Sequence, residues 1–283
     1  MGLVNMRTML IDARKKGYAV GAFNILDYNS MKAVIETASE LRSPVIVQTS
    51  VKTVEFWGFY ALISWIKELA VNRTIPIAIH LDHCKNPDFI LECLKAGWTS
   101  VMIDASSFPF EKNLELSLSI CKMAKPFNAT VEAELGEISG VEDDIIGKDD
   151  ANLADPEKAL RFLNEVPVDC FAPAIGTAHG IYKGVPKIAF DRLEIISKST
   201  AIPLALHGGT GLSVDVFHKC IKLGCSKINI STQLKHTLID GFINYYNSKP
   251  EEYNPLTILK SQSDEMKKAV AENIRLFGSD NKA

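Results

Sequence analysis

Short β-rich runs alternate with longer amphipathic stretches along almost the whole chain. The β-rich runs lie at 18–24 (YAVGAFN), 44–49 (PVIVQT), 76–80 (PIAIH), 99–103 (TSVMI), 129–134 (ATVEAE), 169–175 (DCFAPAI), 203–207 (PLALH) and 226–230 (SKINI). Between them, apolar positions recur at helical spacing over 29–41, 55–71, 87–96, 111–125, 156–165, 190–199 and 213–223. Asn86-Pro87 and Asp155-Pro156 set a capping side chain before a proline suited to the first helical turn. Gly17, Gly97 and Gly224 each follow a helical pattern and precede a strand, as helix-ending glycines do.

Eight strands joined by helical crossovers predict parallel pairing and closure into an α/β (β/α)₈ barrel. The expected organisation is a single domain over 1–283 with a helical extension at its C-terminal end. An open doubly wound sheet would usually carry G-x-G-x-x-G after its first strand, and none stands there. No internal repeat, linker or low-complexity tract interrupts the alternation. Only 136–155 is long and without clear periodicity; its acidic residues and glycines predict a mobile active-site loop.

Composition narrows the possible partners. The 283 residues are 47% hydrophobic, enough for one large core, and the net charge is −3. Lys and Arg are scattered, so neither nucleic acid nor an anionic membrane is an expected partner. No run of eighteen apolar residues exists, which excludes a membrane-spanning helix. The start of the chain lacks the pattern of a signal peptide. The six cysteines form no C-x-x-C pair and read as reduced, mostly buried thiols, as in a cytoplasmic protein.

Candidate chemistry gathers where the strands end, because barrel strands converge on one face at their C-terminal ends. Strand 3 ends in His80-Leu81-Asp82-His83, and strand 4 at Asp104. Strand 5 carries Glu132 and Glu134 on one side. Strand 6 runs into Gly176-Thr177-Ala178-His179-Gly180, strand 7 into His207-Gly208-Gly209-Thr210-Gly211, and strand 8 into Asn229-Ile230-Ser231-Thr232. Histidines from strands 3, 6 and 7 suggest a catalytic zinc held by His83, His179 and His207, with an open fourth position. His80, inside its strand, reads as structural, and His218 and His236 as helix residues. Glu132 and Glu134 are costly to bury unless they serve a metal or an ion pair. Asp82 is either an acid/base or a group that orients its neighbouring ligand. Gly180, Gly208, Gly209, Thr210, Asn229 and Thr232 stand where barrels often bind phosphate.

These stretches resemble the class II, metal-dependent ketose-bisphosphate aldolases. The matching motifs are HLDH (80–83), VMIDAS (101–106), VEAELG (131–136), AIGTAHGIYKG (174–184), LHGGTGL (206–212) and KINIST (227–232), in the family's order and spacing over nearly the whole chain. The resemblance implies zinc on His83, His179 and His207, with Asp82 as acid/base on the C4 oxygen. It implies that Asp104 and Glu134 serve a second or alternative position, for a divalent or monovalent cation. Gly180, Lys183, Gly208, Gly209, Thr210, Asn229, Ile230, Ser231 and Thr232 match the segments that hold dihydroxyacetone phosphate. Glu142 matches an acidic residue that moves the C3 proton of the ketose. The implied partners are a sugar phosphate and dihydroxyacetone phosphate, and the implied assembly is a homodimer or homotetramer.

The chain departs from the pattern at two places. Ser231 replaces the aspartate of fructose-bisphosphate members and the alanine of tagatose-bisphosphate members. Ser263 aligns with the arginine that binds the distal phosphate in members cleaving fructose bisphosphate. The expected activity is therefore a zinc-dependent cleavage of a phosphorylated ketose into dihydroxyacetone phosphate and an aldehyde, with fructose 1,6-bisphosphate a poor substrate. Alternatives are a fructose- or tagatose-bisphosphate aldolase proper and a metal-dependent sugar-phosphate isomerase or epimerase. A non-catalytic sensor is disfavoured because Asp82 and every motif histidine are present. A Schiff-base aldolase needs a lysine at the inner C-terminal end of a strand. Lys85 and Lys183 read as loop residues and Lys227 as opening its strand, so none is suitably placed.

Overall fold

All eight predicted strands form, and they close into a parallel barrel. In chain order they are β1 (Val20–Asn24), β2 (Val45–Thr49), β3 (Ile77–Cys84), β4 (Ser100–Ile103), β5 (Thr130–Leu135), β8 (Cys170–Pro173), β10 (Leu204–Leu206) and β11 (Cys225–Ile230). The remaining strands, β6 (Ser139–Glu142), β7 (Ile145–Gly147) and β9 (Ala178–His179), make a separate small sheet. This computed structural model describes residues 2–142, 145–147, 153–182 and 184–283, and the side chains of 141, 142 and 145–147 lie outside that description.

Helices α1 (Arg7–Lys16), α2 (Tyr28–Glu40), α3 (Val51–Trp57), α4 (Phe59–Ala70), α5 (Pro87–Ala96) and α6 (Phe110–Ala124) belong to the first half of the chain. They are followed by α7 (Pro156–Glu165), α8 (Phe190–Ser199), α9 (Val214–Lys222), α10 (Thr232–Ser248) and α11 (Pro255–Leu276). Capping explains several boundaries. Asn86 and Asp155 each accept two backbone N–H bonds at a helix start, with proline at the next position. Gly17 (φ 70°) ends α1 in the left-handed region that a glycine enters without strain. The single helix expected over 55–71 is two, α3 and α4, broken at Gly58 with φ 84°.

Strand alternation divides the buried residues into two environments. Positions facing the helices (Val45, Val47, Ile77, Ile79, Val101, Ile228) belong to the main hydrophobic core. Inward positions near the strand starts (Val20, Ile46, Ala78, Cys170, Ala205) form a second apolar cluster, which α1 seals with Met9, Leu10 and Ala13. Further along, the inward series turns polar: Asn24, Gln48, His80, Glu132 and Lys227 are all buried. Buried polar groups are tolerated when they bond to one another, so the layer must be a connected network.

The segment 136–155, expected to be an aperiodic loop, contains β6 and β7 paired antiparallel, and β6 pairs with β9 in parallel. Such short strands show no alternation long enough to read. Gly140, at φ 91°, lies so close to the backbone of His179 that an added Cβ would collide with its carbonyl oxygen. The hairpin thus rests directly on a predicted ligand. No helix among the described residues is long and apolar enough to cross a membrane.

Candidate active site

Asp82 and His83 are consecutive, and a regular strand would send them to opposite faces. The register between β3 and β4 shifts between Leu81 and Cys84, and His83 has φ 44°. A positive φ at a non-glycine residue is strained and costs about 1–3 kcal/mol, as often happens at functional sites. Here the bulge lets both side chains face the site. Asp82 Oδ2 accepts from Asn24 Nδ2 (3.3 Å) and Gln48 Nε2 (3.3 Å), and Oδ1 accepts from Asn229 Nδ2 (3.2 Å). His83 Nδ1 lies 3.1 Å from Asp104 Oδ2, and its Nε2 lies 2.8 Å from His207 Nδ1.

Three of the predicted ligands meet. The ligand atoms of His83, His179 and His207 lie within 4.8 Å of one another, and all three residues are buried. His207 Nε2 donates to Glu132 Oε1 at 2.7 Å, since a carboxylate oxygen only accepts. Burial foremost lowers the affinity of the His207 ring for a second proton, so Nδ1 keeps its lone pair on the side of His83. That donor set suits zinc, which favours neutral imidazoles whose other nitrogen is held by a carboxylate.

A second group shares His83. Atoms of His83, Asp104 and Glu134 also lie within 4.8 Å of one another. Burial and then the neighbouring Asp104 push Glu134 well above the usual carboxylate range. Burial opposes ionisation of Asp104 too, yet His83 and Ser106 hold it well below that range. Glu134 Oε2 is buried without a hydrogen-bond partner. Two carboxylates forced apart in this way are what a cation between them would reconcile. For His83, burial opposes charge, but Asp82, Asp104 and Glu134 outweigh it and raise the ring to about 10 in the protein alone.

Glu132 and Glu134 point the same way, as read from the strand, but they serve different neighbours. Burial would raise Glu132, yet Lys227, His207 and His80 hold it well below the usual range. His80 is structural as expected: its Nδ1 meets Ser100 Oγ at 2.7 Å, and burial and then Lys227 push it down to about 3. The expectation that Lys227 merely opens its strand is corrected. β11 starts at Cys225, so Lys227 is its third residue and faces into the barrel, fully buried.

Hydrogen bonds tie the glycine-rich turns to one another. Tyr182 Oη donates to Gly208 O (2.7 Å) and accepts from Ala178 N (3.0 Å), joining the loops after β8 and β10. Gln233 N donates to Thr210 Oγ1 at 3.2 Å, which brings that loop to the first turn of α10. Thr232 opens α10, Ser231 stands at the N-cap position without a side-chain cap bond, and a helix start carries free N–H groups and positive dipole. Gly180 has φ 88° in the neighbouring loop. Asn229, grouped with these residues in the sequence, instead turns its amide to Asp82, and the Ile230 side chain packs in the core. Lys183 lies outside the described residues; Glu142 ends β6 with its side chain outside them.

Gly208 offers a local test. Its φ is 64°, and an added Cβ would lie 2.5 Å from Ala178 O and 2.9 Å from Ala178 N. Gly208→Ala is expected to lose roughly 1–3 kcal/mol of stability through backbone strain. Because Ala178 adjoins His179, the variant should also raise KM. Denaturant midpoints and steady-state kinetics check it, and an unchanged midpoint would refute the close approach.

Sequence reasoning passed over Asn24, Gln48 and Tyr182 and misplaced Lys227. A signal for Asn24, Gln48 and Lys227 was available: each is a polar residue in phase with the inward positions of its strand.

A family model described as "Fructose-bisphosphate aldolase class-II" matches residues 4–282. "Fructose-bisphosphate aldolase" of Staphylococcus epidermidis is 39% identical over 286 residues, covering 100% of both chains. "Probable fructose-bisphosphate aldolase" of Bacillus subtilis is 39% identical over the same span and coverage. Among solved structures, the YdjI aldolase from Escherichia coli K12 superposes with a TM-score of 0.88 at 30% identity, covering 99% of each chain.

Proposed function

This chain belongs to the class-II fructose-bisphosphate aldolase family, and on that premise we propose that it is a zinc-dependent aldolase. In this reading it cleaves a phosphorylated ketose to dihydroxyacetone phosphate and an aldehyde. The observation that carries the proposal is the convergence of the ligand atoms of His83, His179 and His207 within 4.8 Å. Zinc bound there supplies Lewis-acid stabilisation of the negative charge that carbon–carbon cleavage leaves on the ketose-derived half.

The remaining roles fall to this chain's own side chains. Asp82 takes the C4 hydroxyl proton during cleavage and returns one during condensation. Asn24, Gln48 and Asn229 hold that carboxylate from three sides. The glycine turn at 208–210 and the start of α10 bind the phosphate through backbone N–H groups. The test is condensation of dihydroxyacetone phosphate with a panel of aldehydes by the zinc-loaded protein. A ketose 1-phosphate product supports the reading. Epimer or isomer formation without any free aldehyde would replace it with the isomerase alternative, and borohydride inactivation with substrate would indicate a Schiff base.

The relatives' names point to fructose bisphosphate, but the distal end of the site argues for another aldehyde half. Ser263 is half-buried on α11, beside a cavity of about 650 Å³ that Lys32, Trp57, Lys260 and Lys267 also line. These lysines are paired with acids: Lys260 with Asp264 (2.6 Å), and Lys32 and Lys267 with Glu36 (3.9 and 2.6 Å), with Glu40 a further 3.8 Å from Lys267. Their charge is thus compensated, and none presents the forked donors of an arginine. Fructose 1,6-bisphosphate is expected to be cleaved with kcat/KM below the usual enzyme range of about 10⁴–10⁸ M⁻¹s⁻¹. Steady-state kinetics inside that range would refute the expectation.

A further inference from the structure

We infer that Lys227 is a positioning residue that orients two groups of the site at once: the amide of Asn229 facing Asp82, and the carboxylate of Glu132 holding His207. The inference deepens the zinc aldolase reading and rests on it.

Lys227 lies one layer beneath the proposed chemistry, fully buried on β11. An ammonium there is costly unless several acceptors surround it, because it has three donors and can accept nothing. Its Nζ lies 3.1 Å from Glu132 Oε2 and 3.3 Å from Glu132 Oε1, and it donates to Asn229 Oδ1 at 2.6 Å. Each contact constrains a neighbour.

An asparagine amide can sit either way round, and its surroundings decide which. Facing the ammonium, Asn229 must present its oxygen, and that leaves Nδ2 for Asp82 Oδ1 at 3.2 Å. Reversed, the amide would set oxygen against carboxylate on one side and N–H₂ against ammonium on the other. Lys227 therefore fixes the polarity of one of the three donors to Asp82.

On its other side, Lys227 supplies the countercharge that keeps Glu132 in place. Glu132 Oε1 accepts from His207 Nε2 at 2.7 Å, which points Nδ1 toward His83 Nε2 at 2.8 Å. The other basic neighbour of Glu132 is His80, at 3.7 Å from Oε2, too far for a hydrogen bond and engaged with Ser100. A continuous chain of contacts thus runs from Asp82 through Asn229, Lys227 and Glu132 to His207. All five are buried, with exposures of 4%, 6%, 0%, 0% and 1%. One side chain ties the proton-carrying carboxylate to a proposed metal ligand.

The bland alternative is a buried ion pair that only holds the barrel together. The test uses the full chain with Lys227→Met, similar in length but apolar, and the double variant Lys227→Met/Glu132→Gln, which removes both charges. Zinc affinity is read by competition with a chromogenic chelator, kcat and KM separately, and folding by the melting temperature. The ¹⁵N shifts of His207 in chelated protein report its tautomer without any metal.

Positioning predicts that Lys227→Met loses roughly 10–100-fold in kcat and in zinc affinity, as outer-layer partners of ligands do. It also predicts a mixed His207 tautomer where the parent carries its proton on Nε2. The double variant should recover melting temperature without recovering kcat, because Asn229 remains unoriented. Should Lys227→Met fail to fold, the double variant decides alone. Parental kcat and zinc affinity in either variant would overturn the inference and leave a structural ion pair. Full turnover of the parent after chelation would instead overturn the zinc reading, and the tautomer and kcat measurements would still judge Lys227.

Discussion

Dialysis of the protein against a strong chelator is expected to abolish turnover, with zinc restoring it. The imidazoles of His83, His179 and His207 meet in a buried cluster, and His207 is turned toward it by Glu132. Among the described residues, no arginine, and no lysine but the ion-paired Lys227, is among the buried groups of the barrel interior. Without the metal, the negative charge left by cleavage has no positive partner at that point. A Lewis acid contributes several kcal/mol there, and each 1.36 kcal/mol is about tenfold in rate.

The same metal should stabilise the fold, because it binds only the assembled cluster. At one hundred times its dissociation constant that amounts to about 2.7 kcal/mol. Thermal melts with and without zinc measure this independently of activity. Full turnover in protein shown by elemental analysis to be metal-free would end the zinc proposal. So would an unchanged melting temperature in His207→Ala on addition and removal of zinc, if the parent behaved identically.

The alternation of the sequence carried most of the architecture, because parallel barrel strands are buried on both faces and bounded by helix caps and glycines. Each predicted strand overlaps an observed one, and the helices at 87–96, 156–165 and 190–199 coincide with α5, α7 and α8. What escaped had a non-local cause. Helix α1 buries only Met9, Leu10 and Ala13, too narrow a stripe to stand out beside its charged residues. The strands β6, β7 and β9 exist through pairing with one another rather than through any pattern of their own.

Within the site, residue types were legible and directions were not. Three histidines after three strands could be read as a cluster. That Asp82 and His83 share a face depends on a bulge and a left-handed backbone, which no side chain announces. Asn229 shows the opposite limit. Its neighbours in sequence were read with the proposed phosphate turn, whereas strand phase sends its amide inward to Asp82. Lys227, two residues earlier, obeys the same phase, and counting back from Asn229 would have found it.

Asp82→Asn should lower kcat by roughly 10²–10⁴-fold, the usual contribution of a positioned acid or base, while zinc content stays at the parental level. The carboxylate accepts three side-chain donors, from Asn24, Gln48 and Asn229, at 3.3, 3.3 and 3.2 Å. These bonds favour the charged, proton-accepting form and fix where its oxygens stand. An amide in its place has no basic oxygen for the C4 proton, and its N–H₂ would confront at least one of those donors. The local cost is a broken hydrogen-bond network rather than a lost cavity wall, so the variant should fold. None of the three donors is a histidine of the cluster, and the Glu132 contact to His207 is untouched, so the metal should remain. Elemental analysis and kcat together separate the two roles left open by the sequence. Zinc lost in parallel with activity would show that Asp82 orients its neighbour His83, and zinc retained with activity near the parental rate would remove Asp82 from the chemistry altogether.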